Sequence, residues 1–301
     1  YASACFVDTD KWVGIRIGRR LGTTSNPFIQ NSTFGGLTYG LWASNLSSGV
    51  GNDILNNEFE YNQRGMYILS GYSLKIADNT FKLANPLDST VYGIMTGGLI
   101  TFDIRENTFN GADNPAQQPN GNFSNVPMGI IAENSGIAGG IIFNNAIGDG
   151  NILNISVQSQ GDNQSLTIRC NDFNVQGAGF TNPHGLTVYD KGITAAQLRD
   201  QGHINCKSAG QNPGDHKAAA GNKWQTLCPG GSLEDIDFSS GVLFKYYWHF
   251  EDEQGNPTTE PACSDPQWQA MQSHYVDCQV AMQNNSCDDL YTPPGSGGGG
   301  P

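Results

Sequence analysis

The sequence predicts an all-β fold, a parallel β-helix solenoid of about seven coils with a disulfide-bearing C-terminal cap containing short helices. Three observations predict it: a composition rich in turn formers, a short pattern that recurs at nearly constant spacing, and a change of texture near the C-terminal end.

Glycine (39) and asparagine (30) exceed a fifth of the 301 residues, while charged residues make up 14 %. Such a composition favours many short strands joined by tight corners over long helices. No apolar run approaches the ~20 residues that a membrane-spanning helix needs. The chain starts at Tyr1 with neither a Met nor a signal-type stretch, so a mature or trimmed fragment of a longer protein is expected.

The pattern Ile-x-x-Asn-x-Phe recurs at Ile54, Asn57 and Phe59; at Ile76, Asn79 and Phe81; at Ile104, Asn107 and Phe109; and at Ile168, Asn171 and Phe173. A looser copy reads Ile142, Asn145 and Ile147, and an earlier one reads Ile29, Ser32 and Phe34. Along the Phe column the intervals are 25, 22, 28, 38 and 26 residues. A second column interleaves with it: Gly14-Ile15, Gly40-Leu41, Gly65-Met66, Gly93-Ile94, Gly129-Ile130 and Gly185-Leu186. A unit of this length holds three short strands and cannot bury an apolar face alone. Stacked at the inter-strand spacing of roughly 4.8 Å, every strand gains two hydrogen-bonded neighbours and equivalent residues lie above one another. The Ile and Phe columns then fill the interior. The Asn column passes side-chain amide hydrogen bonds from coil to coil, and Asn also tolerates the left-handed backbone of a sharp corner. The longer intervals are coils with insertions. Leucine-rich repeats need an L-x-x-L-x-L run that is missing, and propeller blades need about 40 residues.

These columns resemble the right-handed parallel β-helix repeat of the pectate-lyase-like superfamily, over roughly residues 10–190. The resemblance implies the fold more than any activity, since lyases, hydrolases, tailspikes and adhesins share it.

Three segments follow from this reading: coils over 1–192, a cap over 193–292, and a Gly/Pro-rich linker over 293–301 that leads to a further domain. In the cap, Thr194-x-x-Gln197 is a capping-box signature that predicts a short helix around 195–201. Asp265-Pro266 opens a second predicted helix, near 266–283, with Trp268, Met271, Tyr275, Cys278 and Met282 as its apolar stripe. Five of the seven cysteines lie here: Cys206, Cys228, Cys263, Cys278 and Cys287; Cys5 and Cys170 precede them. No C-x-x-C pair occurs, so zinc ribbons and thioredoxin-like chemistry are not expected, whereas disulfides in an oxidising, extracellular compartment are. The odd count leaves one thiol free or bonded outside the chain. The segment from Ala220 to Cys263 is similar to those that close the β-helix in large secreted Bacteroidota surface proteins exported by type IX secretion. That resemblance implies Cys206 paired with Cys228 and an aromatic strand at 243–249.

Charge is uneven: 11 acidic residues and one basic residue between Pro229 and Thr292 supply −10 of the net −13. No basic stripe exists to bind a nucleic acid. Expected partners are an extracellular glycan or other surface proteins.

Lyases of the resembled superfamily use Arg or Lys as base, often with Ca²⁺ held by carboxylates, and hydrolases use paired Asp residues with Gly-His-Gly. Neither pattern is intact. No D-x-[DN]-x-[DN]-G loop supports Ca²⁺, and no cofactor is expected. His184, in Pro183-His184-Gly185, is the nearest approach to the hydrolase histidine. Asp78 and Glu106 both precede the corner Asn, which sets them about one strand spacing apart, close to the roughly 5 Å of a retaining glycosidase pair. Their neighbours Asn56, Asn144 and Cys170 make no cleft, so a charge-compensated corner beside Arg105 and Arg169 is the favoured reading. Tyr39, Trp42, Tyr67, Tyr92 and Tyr189 lie near the Gly-initiated strands, where flat rings can stack on sugar. The expectation is a non-catalytic stalk, adhesin or glycan-contacting segment. The alternative is a polysaccharide lyase or glycoside hydrolase walled by the loops at 110–127. A face crowded with Lys/Arg and carboxylates would favour the enzyme, and a plain Ser/Thr/Asn face the structural role.

Overall fold

Inward apolar residues alternate with outward polar ones along the chain, as half-buried strands require. The computed structural model describes residues 6–8, 11–18, 28–46, 52–83, 91–110, 128–149, 155–173, 184–199, 201, 222–224, 236–238, 242, 244, 246–248 and 273–275. Among these, all regular structure is β, in three long sheets and two short pairs.

The first sheet runs through Phe6–Asp8, Lys11–Ile17, Tyr39–Ser44, Arg64–Gly71, Tyr92–Leu99, Met128–Glu133, Ile155–Gln160, His184–Tyr189 and Ile236–Phe238. The second runs through Phe28–Gln30, Asn52–Leu55, Leu74–Ala77, Thr101–Arg105, Gly139–Phe143 and Leu166–Arg169. The third runs through Thr33–Gly35, Glu58–Asn62, Thr80–Leu83, Thr108–Asn110, Ala146–Asp149, Asp172–Phe173 and Lys223–Trp224. From Lys11–Ile17 to His184–Tyr189 the chain visits first, second and third sheets in rotation, and the strands of these sheets pair in parallel with their equivalents one turn on, an arrangement compatible with a β-helical solenoid. The exception is Phe6–Asp8, which pairs antiparallel with Lys11–Ile17 at the sheet edge. Two strands beyond residue 192, Lys223–Trp224 and Ile236–Phe238, join the long sheets.

Register follows the sequence columns. Ile54, Ile76, Ile104, Ile142 and Ile168 pair in succession and are fully buried. Phe34, Phe59, Phe81 and Phe109 stack with centroids 4.9, 4.9 and 4.7 Å apart, and Ile147 and Phe173 continue the column. Each buried Phe contributes up to about 3 kcal/mol. The glycine column exists because of the phenylalanines. A Cβ on Gly65 would lie 2.4 Å from the Gly93 carbonyl oxygen and 2.8 Å from the Phe81 ring. Gly40 and Gly93 meet Phe59 and Phe109 in the same way. In the coil between Gly129 and Gly185 the position is Ser156, which pattern matching passed over; its neighbour Val157 pairs with Ile130 and Leu186.

The Asn ladder is continuous. Asn57, Asn79, Asn107, Asn145 and Asn171 each donate from Nδ2 to the Oδ1 of the next, at 2.9–3.0 Å, ending on Asn222. Their backbone N–H groups donate to the same oxygens. The left-handed corner residues, however, are not the ladder asparagines but those just before them. Asn31, Asn56, Asp78, Glu106, Asn144 and Cys170 have φ between 51 and 56°. The ladder side chain points inward to satisfy the turn, so the sharp bend falls on its predecessor.

Both predicted helices are corrected where the structure describes them. Over 191–199, Lys191 and Thr194 exchange 2.9 Å backbone hydrogen bonds and Ala196 N–H donates to Asp190 Oδ1 at 2.8 Å. Gln197–Leu198 pairs in parallel with Asp162–Asn163. Ala196 and Leu198 are buried while Gln197 is exposed, a period of two that a helix would break. Pairing to the preceding coil therefore overrides the capping box. Within 266–283, Ser273–Tyr275 is a strand paired with Tyr246–Trp248; the latter lies in the expected aromatic strand. Cys206, Cys228, Cys263, Cys278 and Cys287 lie outside the described residues, as do the loop at 111–127 and the linker at 293–301. Cys170, not among the cap cysteines, is disulfide-bonded.

Candidate functional site

Two register columns place side chains on the outer face of the first sheet. One runs Tyr39, Arg64, Tyr92, Met128, Ile155 and His184. The other runs Arg16, Trp42, Tyr67, Met95, Ile131 and Gln158. Period-two geometry sets the Trp42 column outward, because Leu41, Met66, Ile94 and Ile130, one residue before it, fill the core. The Tyr39 column stands outward beside the glycine column, where a Cβ on Gly40, Gly65 or Gly93 would meet the core rings of Phe59, Phe81 and Phe109.

Aromatic rings gather where the two columns begin. Tyr39 and Trp42 have centroids 5.1 Å apart, and both lie 5.7 Å from Tyr67, with Trp42 edge-on at 80°. Arg64 lies over Tyr39 at 4.7 Å and reaches Tyr92 at 5.9 Å, and it hydrogen-bonds the Tyr39 hydroxyl. Arg16 covers Trp42 at 4.8 Å. Such contacts hold the rings in place, each worth about 0.5–2 kcal/mol. Burial pushes the Tyr92 phenol well above its ordinary value of 10.0, against the opposing pull of the Arg64 guanidinium. Tyr92 is therefore a neutral donor at physiological pH.

These rings open into a concavity of about 370 Å³. Tyr39, Tyr67, Tyr92 and Arg64 form one end; Met95, Met128 and Ile131 form the floor; Glu133, Gln160 and Lys191 form the far end. Lys191 Nζ lies 2.8 Å from Glu133 Oε2. The volume falls at the lower end of the roughly 300–1,000 Å³ typical of small-molecule sites.

The structure thus unites four of the five aromatic residues singled out in the sequence. The fifth, Tyr189, donates its hydroxyl to Asp237 Oδ2, which lies 3.8 Å from His184 Nε2. His184 sits in the Tyr39 column but does not line the concavity. Asp78 and Glu106 follow the paired residues Ala77 and Arg105, so they occupy adjacent coils, exposed at the left-handed corner. That corner borders the second sheet, away from the concavity. Arg105 turns to Asp103, its Nε 2.9 Å from Oδ1.

Sequence reasoning missed Arg64, Met95, Met128, Ile131, Glu133, Gln160 and Lys191. For Arg64 and Met128 a signal existed: each immediately precedes a column glycine, as Tyr39 and Tyr92 do. Lys191 and Glu133 carried none, since their contact joins coils 58 residues apart. Among the described residues, no group of three His, Cys, Asp or Glu side chains converges to hold a metal ion. No family model, curated protein or solved structure matches this chain.

Proposed function

We propose that this chain is a non-catalytic, right-handed parallel β-helix segment of an extracellular, cell-surface or secreted protein, and that its first sheet contacts a glycan. The observation that carries this reading is the ring cluster of Tyr39, Trp42, Tyr67 and Tyr92 beside an open concavity. Pyranose C–H faces pack on aromatic rings, and hydroxyls need donors and acceptors at the edges. Arg64, Gln160, Glu133 and Lys191 supply those edges. The rigid stack of sheets holds the rings before a ligand arrives, which lowers the ordering cost of binding.

The test is glycan-array binding followed by titration calorimetry on the best hits. Trp42→Ala and Tyr67→Ala should each weaken binding about tenfold or more with an unchanged circular-dichroism spectrum. A folded protein that binds nothing across the array overturns the reading.

The lyase or hydrolase alternative keeps one observation, the Glu133–Lys191 pair inside the concavity. A reducing-end and unsaturated-product assay, with and without Ca²⁺, addresses it. Turnover lost in Lys191→Met or Glu133→Gln would set the chemistry in the concavity. Turnover lost in Asp78→Asn or Glu106→Gln would set it on the corner column.

A further inference from the structure

The floor of the concavity is out of character for a surface that only stacks pyranose rings. Along one register column the outer face reads Trp42, Tyr67, Met95, Ile131 and Gln158. Met128 stands beside this column, next to Tyr92. The apolar patch is therefore bounded by rings on one side and by Glu133, Gln160 and Lys191 on the other. Ile131 is 5 % exposed and Met95 and Met128 are half-buried, so together they form a shallow apolar seat.

A sugar hydroxyl placed on that seat would give up its water and find no partner in thioether or alkyl groups, a net cost. A methyl group placed there gains by burial, and Met adapts its shape to what it covers. Resting on the glycan reading above, we infer that the concavity selects a methyl-bearing sugar. The ring packs on Tyr67, its methyl sits on Met95, Met128 and Ile131, and its remaining hydroxyls reach the polar far end. Two sources supply such a methyl: a 6-deoxyhexose, or an O-acetyl ester on an ordinary hexose.

The experiment compares matched probes by calorimetry on the intact chain. Fucosyl oligosaccharides are set against galactosyl ones of the same configuration, and acetylated oligosaccharides against the same material after mild alkaline deacetylation. The methyl-bearing member of at least one pair should bind about tenfold more tightly, the size of a single-methyl discrimination in an apolar pocket. Preference in the first pair alone identifies the deoxy sugar, and preference in the second alone identifies the ester. Met95→Gln, close in shape but polar, should erase the preference for the methyl-bearing member; an unchanged thermal midpoint confirms that the variant is folded. Equal affinity within both pairs overturns this inference and leaves the glycan reading in place. Failure of every glycan to bind overturns both.

Discussion

Asn107→Ala tests whether the buried amide ladder holds the coils in register. In the native chain Asn107 Oδ1 accepts from the Asn79 backbone N–H and from Asn79 Nδ2, both at 3.0 Å. Its own Nδ2 faces Asn145 Oδ1, Ile76 O and Arg105 O at 3.0, 3.0 and 2.8 Å. Alanine leaves the buried Asn79 N–H without an acceptor, at about 1–3 kcal/mol. Asn79 Nδ2 keeps the carbonyls of Ile54 and Ala77, so it adds little. The carbonyls of Ile76 and Arg105 each lose a donor, at about 0.5–1.5 kcal/mol apiece. The sum is about 2–6 kcal/mol, large against the stability of an ordinary domain. Urea unfolding followed by circular dichroism measures it as a fall in midpoint at constant slope. Lys75→Ala, exposed on the second sheet, is the control and should stay within about 0.5 kcal/mol of the parent. If Asn107→Ala unfolds no earlier than that control, the ladder contributes nothing and the argument for it fails.

Gly65→Ala should destabilise by about 1–3 kcal/mol or more through collision with Gly93 O and Phe81, whereas Gly18→Ala, whose Cβ meets only Ser44 Oγ at 3.8 Å, should be near neutral; thermal midpoints decide. Phe109→Ala removes the end of a 4.7 Å ring pair and should cost about 3–5 kcal/mol in the same measurement. Because the Tyr92 phenol is raised above its unfolded value of 10.0, its contribution is complete below that pH and is lost as pH rises further. The stability difference between parent and Tyr92→Phe should therefore shift in favour of the variant above pH 10.0 and stay flat below it, as read by unfolding at stepped alkaline pH. Cys170→Ser should lower stability by about 2–4 kcal/mol, and non-reducing peptide mapping of the parent should recover Cys170 only in a cross-linked peptide.

The repeat was legible because stacking imposes the same demand on every coil. Ile104 must fill the core beside Ile76 and Ile142, Asn107 must hand its amide to Asn145, and Gly93 must leave room for Phe109, so each demand recurs as a spaced letter in the chain. The aromatic residues of the outer face were legible for a related reason: Tyr39, Trp42, Tyr67 and Tyr92 keep fixed offsets from the glycine column. Where a coil departs from the pattern, as at Ser156, or where a Trp stands for Phe, as at Trp224 after Asn222, pairing alone reveals the membership.

What the sequence by itself determined is thus whatever is local and periodic: the all-β class, the inward columns and the candidate rings. The tertiary structure decided what depends on non-local partners. Backbone groups of 191–199 found acceptors on the preceding coil, so a helix signature became a strand. The left-handed bend fell on the predecessor of each ladder asparagine, because the ladder amide points inward. Lys191 met Glu133, and both came to lie with Met95 and Ile131 around one concavity, because equivalent strands paired regardless of the sequence distance between them. Periodicity encodes a column one residue at a time; a site is set by which columns lie side by side, and only the closed turn of the chain fixes that.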